Sequence, residues 1–180
     1  AFISGDFANH SVSFFLKDIL KRINKNKFKL YALSNRPIFS HDQTTNDLKT
    51  LFDVWKDVFD MDDENLLSYG RSLNIDILID LSGYTSFNRI NVVRSRISSI
   101  QVSWLGYCNS LGLKNIDYII ADQNVIPENE NIFFKDWLIR FFMEILPELA
   151  GGWAKYFLLR SRCDFLTFTL SVCILPPSLV

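Results

Sequence analysis

Ile75-Asp76-Ile77-Leu78-Ile79-Asp80-Leu81-Ser82-Gly83-Tyr84-Thr85 is the stretch that decides the fold. Its first seven residues are rich in β-branched side chains and apolar enough for the interior of a sheet covered on both faces. Asn74 precedes the run and Ser82-Gly83 stop it, so a strand is expected over 75–81, its carboxyl end delivering Gly83-Tyr84-Thr85.

Upstream, short apolar runs alternate with helix-period segments. Phe2-Ile3-Ser4 reads as a strand, Gly5 to His10 as a polar loop, and Val12, Phe15, Leu16, Ile19, Leu20 and Ile23 fill one face of a helix. A second strand is expected from Phe28 to Leu33, ended by Asn35-Arg36-Pro37, then a helix near Asn46 to Phe52 and a short strand at Val54 to Phe59. Asp62 or Asp63 caps the next helix, which carries Leu66, Leu67, Tyr69 and Leu73. Downstream, a helix from about Asn88 to Arg96 leads to a strand over Ile100 to Leu105, and Tyr118 to Ala121 forms one more strand before Asp122. This alternation specifies an α/β protein, a Rossmann-like, mainly parallel sheet with flanking helices. It stops near Phe141. Residues 1-141 are therefore expected to form one lobe, and residues 142-180 an apolar tail of different character.

With 180 residues, 48% hydrophobic and 22% charged, the chain has the composition of a folded soluble domain. A net charge of -1 gives no general attraction for phosphate backbones, so nucleic acid is not expected as a partner. The basic residues Lys17, Lys21, Arg22, Lys25, Lys27 and Lys29 form the solvated side of the first helix and its exit. Cys108, Cys163 and Cys173 show neither a disulfide framework nor zinc-ligand spacing. No signal peptide is expected at the start of the chain, since Asp6 and His10 interrupt the apolar run. The longest apolar run, Phe165 to Leu175, is shorter than the roughly 20 residues that span a bilayer. A cytoplasmic protein without membrane association is expected.

Ligands of open α/β sheets bind outside the carboxyl ends of the strands. Three polar loops lie there: Gly5 to His10, Gly83 to Arg89, and Gly106 to Gly112. His10 stands just before a helix, where it either exchanges a proton or hydrogen bond with substrate or simply caps that helix. Asp6 either orients His10 or closes a local turn. Tyr84 and Thr85 face a ligand or form a turn with an aromatic lid, and Arg89 meets an anion or lies exposed on its helix. His41 stands in a polar loop without a companion. Phosphate-loop, dinucleotide-fingerprint, nucleophile-elbow and zinc-helix motifs are not found.

Four stretches, in order, resemble the O-GlcNAc transferase and SPINDLY-like glycosyltransferases. Gly5-Asp6-Phe7-Ala8-Asn9-His10-Ser11-Val12 resembles their S-x-D-F-x-x-H-[PS]-[VT] segment. The stretch from Ile75 to Thr85 resembles G-I-D-I-L-V-D-L-x-G-[HY]-T, Ile100 to Tyr107 resembles P-x-Q-V-x-W-L-G-Y, and Asp117 to Asp122 resembles D-Y-x-x-x-D. The texture is closer to bacterial members than to animal ones. Departures are Cys108-Asn109-Ser110-Leu111-Gly112 in place of P-G-T-[ST]-G, and Phe14 where animal members carry a second histidine.

The resemblance implies the N-terminal lobe of a GT-B glycosyltransferase, moving N-acetylglucosamine or another sugar from a nucleotide-sugar such as UDP-GlcNAc to Ser or Thr of a protein acceptor, without a metal. It implies His10 as the catalytic residue, and Asp6, Asn9, Tyr84, Thr85, Arg89, Leu105 and Gly106 as substrate-binding residues. It also implies further parts, a C-terminal lobe that holds the donor nucleotide and an array of tetratricopeptide (TPR) repeats. The 180 residues alone are thus expected to be inactive, and the tail over 142-180 to be a truncation or frame-change product. The alternative is a non-catalytic Rossmann-like interaction module.

Overall fold

The computed structural model describes residues 1–121, residue 126 and residues 137–140. Seven strands, β1 (Phe2–Ser4), β2 (Tyr31–Ser34), β3 (Val54–Asp57), β4 (Ile77–Asp80), β5 (Ile100–Trp104), β6 (Tyr118–Ala121) and β7 (Trp137–Arg140), form one sheet. Their spatial order is β3-β2-β1-β4-β5-β6-β7, and every neighbouring pair is parallel. The chain builds outward from β1 to β3, then returns to the other side of β1 with β4. That reversal leaves a crevice at the carboxyl ends of β1 and β4.

Alternation along the strands sorts the core onto two faces. Phe2 and Ala32 join Val12, Leu16 and Leu20 of α1 (Ser11–Arg22) and Leu48 of α2 (Gln43–Lys49). Their next residues, Ile3 and Leu33, join Leu66 of α3 (Asp63–Ser72) and Val92 and Val93 of α4 (Ile90–Arg94). Leu16, Leu20 and Leu66 are fully buried, and burying each such side chain stabilises the fold by about 1.5–3 kcal/mol. Phe2, Phe7, Phe52 and Trp55 add a ring cluster with centroids 5.3–5.8 Å apart, at the root of the first crevice loop.

The elements follow the sequence pattern with instructive shifts. β2 begins at Tyr31 rather than Phe28, because the Lys27 and Phe28 N–H groups both bond back to Asn24 O in a turn that leaves Phe28 exposed. α2 begins at Gln43 rather than Asn46, because Asp42 and Thr45 form a reciprocal capping box. β4 is confined to Ile77–Asp80, and α4 is one short turn that ends as Arg96 takes up a φ of 59°. β7 was not expected as a strand: no turn cluster ends Trp137-Leu138-Ile139 before the apolar residues Phe141-Phe142. Asp122, the tail over 142–180, Cys163 and Cys173 lie outside the described residues.

The basic stretch is a solvated face, with Lys17 paired to Asp47 at 2.6 Å and Lys21 to Asp18 at 3.3 Å. His41 is a fold residue, its Nδ1 3.2 Å from Lys49 Nζ and its Nε2 3.4 Å from Asp57 Oδ1. Among the described residues no helix is long and apolar enough to cross a membrane.

Candidate active site

The loop after β1 has its main chain pinned by side chains. Gly5 N–H donates to Ser82 Oγ (3.2 Å), Asp6 N–H to Ser4 Oγ (2.9 Å), and Asp6 O accepts from Ser13 Oγ (2.7 Å). The loop ends at His10, the N-cap of α1, in extended conformation with its Nδ1 accepting the Val12 N–H at 3.3 Å. A neutral imidazole that accepts at Nδ1 carries its proton on Nε2. His10 and Asn9 are both exposed toward solvent. Asp6 is half-buried, and burial raises its carboxyl above the usual range, countered by the nearby charges of His10 and Arg36. The structure thus brings Asp6, Asn9 and His10 together.

The loop after β4 is organised by Asp80, which is buried and accepts the N–H groups of Ser82 (3.2 Å) and Gly83 (2.9 Å). These bonds set a turn in which Gly83 adopts φ 56°, a conformation that penalises any residue with a Cβ. Thr85 closes the turn, its Oγ1 donating to Ser82 O at 2.8 Å. Tyr84 lies 45% exposed, its hydroxyl donating to Leu111 O (2.8 Å) and its ring edge-on to Tyr107 at 5.6 Å. Tyr84 therefore bridges the loops after β4 and β5, with half of its surface left for a ligand.

Burial pushes the Asp80 carboxyl up to about 6, against the two N–H bonds that lower it. The folded state holds this proton more tightly than the unfolded chain, at 3.8. Asp80's contribution to stability is then fully present below pH 3.8 and lost as pH rises through 6, a change of about 3 kcal/mol. In denaturant titrations of both chains, the stability of the native chain relative to Asp80→Asn should be lower at pH 7 than at pH 4; a difference that does not change with pH would contradict it.

Leu105 and Gly106 follow β5. Leu105 holds a φ of 74°, a left-handed conformation that costs a branched residue about 1–2 kcal/mol. It turns the chain so that Gly106 passes directly over the end of β4, where a Cβ on Gly106 would lie 1.7 Å from Leu81 O. Gly106 N–H itself bonds to Trp104 O at 3.0 Å. Cys108 is exposed on the loop beyond, and among the described residues no group of His, Cys, Asp or Glu is placed to hold a metal.

Arg89 points inward. Its Nε donates to Asn35 Oδ1 (2.8 Å), Nη1 to Asp63 Oδ1 (2.8 Å), and Nη2 reaches the carbonyls of Val58, Phe59 and Met61 at 2.7–3.0 Å. Asn35 Nδ2 in turn donates to Phe87 O (2.7 Å). Arg89 ties the loops after β2, β3 and β4 together from below, while the other seven residues expected at the site stand on the crevice loops. Sequence reasoning missed Asn35, Asp42 and Thr45. Asp42-Gln-Thr-Thr45 carried a helix-start signal, but nothing in it pointed to the crevice.

A parallel sheet of this order, with its polar crevice at the switch between β1 and β4, corresponds to the N-terminal lobe of a GT-B glycosyltransferase. The sequence profile of glycosyl transferase family 41 matches residues 1–143, and the chain belongs to that family. A curated relative, the probable UDP-N-acetylglucosamine–peptide N-acetylglucosaminyltransferase SPINDLY of Arabidopsis thaliana, is 34% identical over 130 residues, covering 70% of this chain and 14% of the relative. The SPINDLY protein of Solanum lycopersicum is 29% identical over 158 residues, 84% of this chain and 17% of the relative. A solved structure of a mutant O-GlcNAc transferase from Thermobaculum terrenum superposes with a TM-score of 0.75 at 30% identity, covering 83% of this chain and 29% of that one. The chain thus spans less than a fifth of the length of these curated relatives.

Proposed function

We propose that this chain supplies the N-terminal catalytic lobe of a cytoplasmic protein O-glycosyltransferase that moves N-acetylglucosamine from UDP-GlcNAc to Ser or Thr of a protein. The observation that carries the reading is His10, an exposed imidazole capping a helix at the switch point, with Asp6 and Asn9 beside it. The names of the relatives supply the donor and the acceptor class.

In this reading the acceptor hydroxyl attacks the anomeric carbon with inversion, the bond to the UDP oxygen breaks so that UDP departs with the bonding pair, and the hydroxyl proton passes to solvent as the new bond forms. His10, with Nδ1 occupied by the Val12 N–H, donates through Nε2–H. Its role is to orient an oxygen of acceptor or donor and stabilise charge building there, rather than to remove the proton itself. Tyr84, Thr85 and the Leu105-Gly106 backbone line the sugar's side of the crevice, and Arg89 holds the Tyr84 loop in place. Transfer is metal-independent, and the pyrophosphate is met by Lys, Arg and helix N-termini of the second lobe and its surroundings. TPR repeats and that second lobe complete the protein.

His10→Ala in the complete transferase is expected to lower kcat/KM with UDP-GlcNAc about 100-fold, the usual weight of one positioned donor or acid–base group. Steady-state kinetics with a Ser/Thr acceptor peptide check this, and an unchanged kcat/KM would remove His10 from the mechanism. The 180 residues alone should give no turnover.

A further inference from the structure

The connection from β2 to α2 bonds to the main chain of the His10 loop at alternate residues. Arg36 Nη1 donates to Gly5 O (3.4 Å), Thr45 Oγ1 to Phe7 O (2.7 Å), and Asp42 Oδ2 accepts the Asn9 N–H (2.7 Å). Asp42 and Thr45 are also the two halves of the α2 capping box, Thr45 N–H donating to Asp42 Oδ1 at 2.8 Å. One rigid turn of helix therefore grips the loop on both sides of Ala8, and its last grip lies on the residue before His10.

We propose that Asp42 and Thr45 are positioning residues for His10, the capping box of α2 serving as a clamp that fixes where the α1 N-cap imidazole stands. The proposal rests on the reading of His10 as the transferase's hydrogen-bond donor. The His10 side chain gains its Nδ1 bond only if its backbone is extended and aligned with Val12 N–H, at the 3.3 Å now observed. That bond has little slack. A shift of a few tenths of an ångström at Asn9 takes it beyond hydrogen-bond range and frees the imidazole to rotate and change tautomer. Thr45 is fully buried, and its bond to Phe7 O is short and inaccessible to water, so solvent does not replace it. The charge of Asp42 serves both the helix N-terminus and the Asn9 N–H, and an Asn there presents an NH₂ to one of those two donors.

The experiment uses the full chain with ¹⁵N-labelled histidine, which gives signals from His10 and His41 only, assigned with His41→Gln. The unmodified chain should show His10 as the Nε2–H tautomer. Thr45→Val, isosteric but without the hydroxyl, and Asp42→Asn should both shift the His10 nitrogens toward an averaged tautomer mixture, and Thr45→Ser should restore the original spectrum. Asp62→Asn alters the N-cap of α3, which accepts from Asn65 N–H and does not touch the loop; it should leave His10 unmoved. In the complete transferase, Thr45→Val should lower kcat about 10-fold, with the donor KM within about twofold, as expected for misplacement of a catalytic group. Unchanged His10 spectra in folded Thr45→Val and Asp42→Asn would overturn the clamp whatever the transfer assay shows. Shifted spectra support it even if the transfer reading fails.

Discussion

Gly106→Ala is expected to destabilise the chain by about 3 kcal/mol or more, the upper range for forcing an extra methyl into a packed site. The added Cβ would lie 1.7 Å from Leu81 O and 2.9 Å from Leu81 C, so what must yield is backbone rather than a flexible side chain. That backbone is poorly placed to yield, since Leu81 N–H is bonded to Ile3 O in the centre of the sheet. On the other flank the Cβ would meet Val12 Cγ2 at 3.4 Å, in the first turn of the helix that His10 caps. The same substitution is therefore expected to disturb the crevice, and a complete transferase carrying it should lose activity as well as stability. Urea denaturation of the two chains side by side tests this, and a midpoint unchanged from the parent would show that β4 and β5 can part without penalty.

Arg89→Met should cost about 1–3 kcal/mol, because a partly buried set of acceptors loses its shared donor while Asp63, 42% exposed, turns to solvent. The Arg89 side chain is 14% exposed and serves Asp63, Asn35 and three main-chain carbonyls at once. Methionine fills much of its volume but takes away the donor to Asn35, Phe59 O and Met61 O, while Val58 O keeps the Met61 N–H. Arg89→Lys should recover little, as a single ammonium cannot reproduce the planar fork that reaches Asn35 on one side and Met61 on the other. Retention of parental stability by Arg89→Met would assign the network no structural weight. A selective effect on transfer at unchanged stability would instead return Arg89 to direct contact with substrate.

The difference between the two predictions shows what the sequence made legible. The apolar run ending at Asp80-Leu81-Ser82-Gly83 announced a buried strand with a loop at its end, and His10 stood just before a helix; both readings depend on neighbours in sequence. Leu105 as a site residue, and the particular roles of Asn9 and Gly106 within their loops, came only through resemblance to a family, since close approach of Gly106 to Leu81 O is a relation between segments. Arg89 was legible as a cation near a loop, but not as a tie, because its acceptors at Val58, Phe59 and Met61 are carbonyls, which every residue possesses. Asp42 and Thr45 were hidden for the same reason: a helix start has a side-chain signature, whereas Phe7 O and Asn9 N–H have none. β7 was missed because no turn cluster sets Trp137 to Ile139 apart from the apolar residues that follow.

The central place of β1 bears on how the molecule is assembled. A three-residue strand that opens the sequence is flanked by β2 on one edge and by β4 on the other, and Ser4 meets Ser82 across 78 positions of chain. At ribosomal speeds of about 5–20 residues per second, roughly 4–15 s separate the emergence of β1 from that of its second neighbour. During that interval one edge of this interior strand is open to pairing with any other chain. Such non-local, parallel pairing is intrinsically slow. The ring cluster around Phe2 and Phe7 and the grip of α2 on the β1 loop involve only the first 55 residues, so they can gather before β4 arrives and shield a strand whose exposure would otherwise invite aggregation.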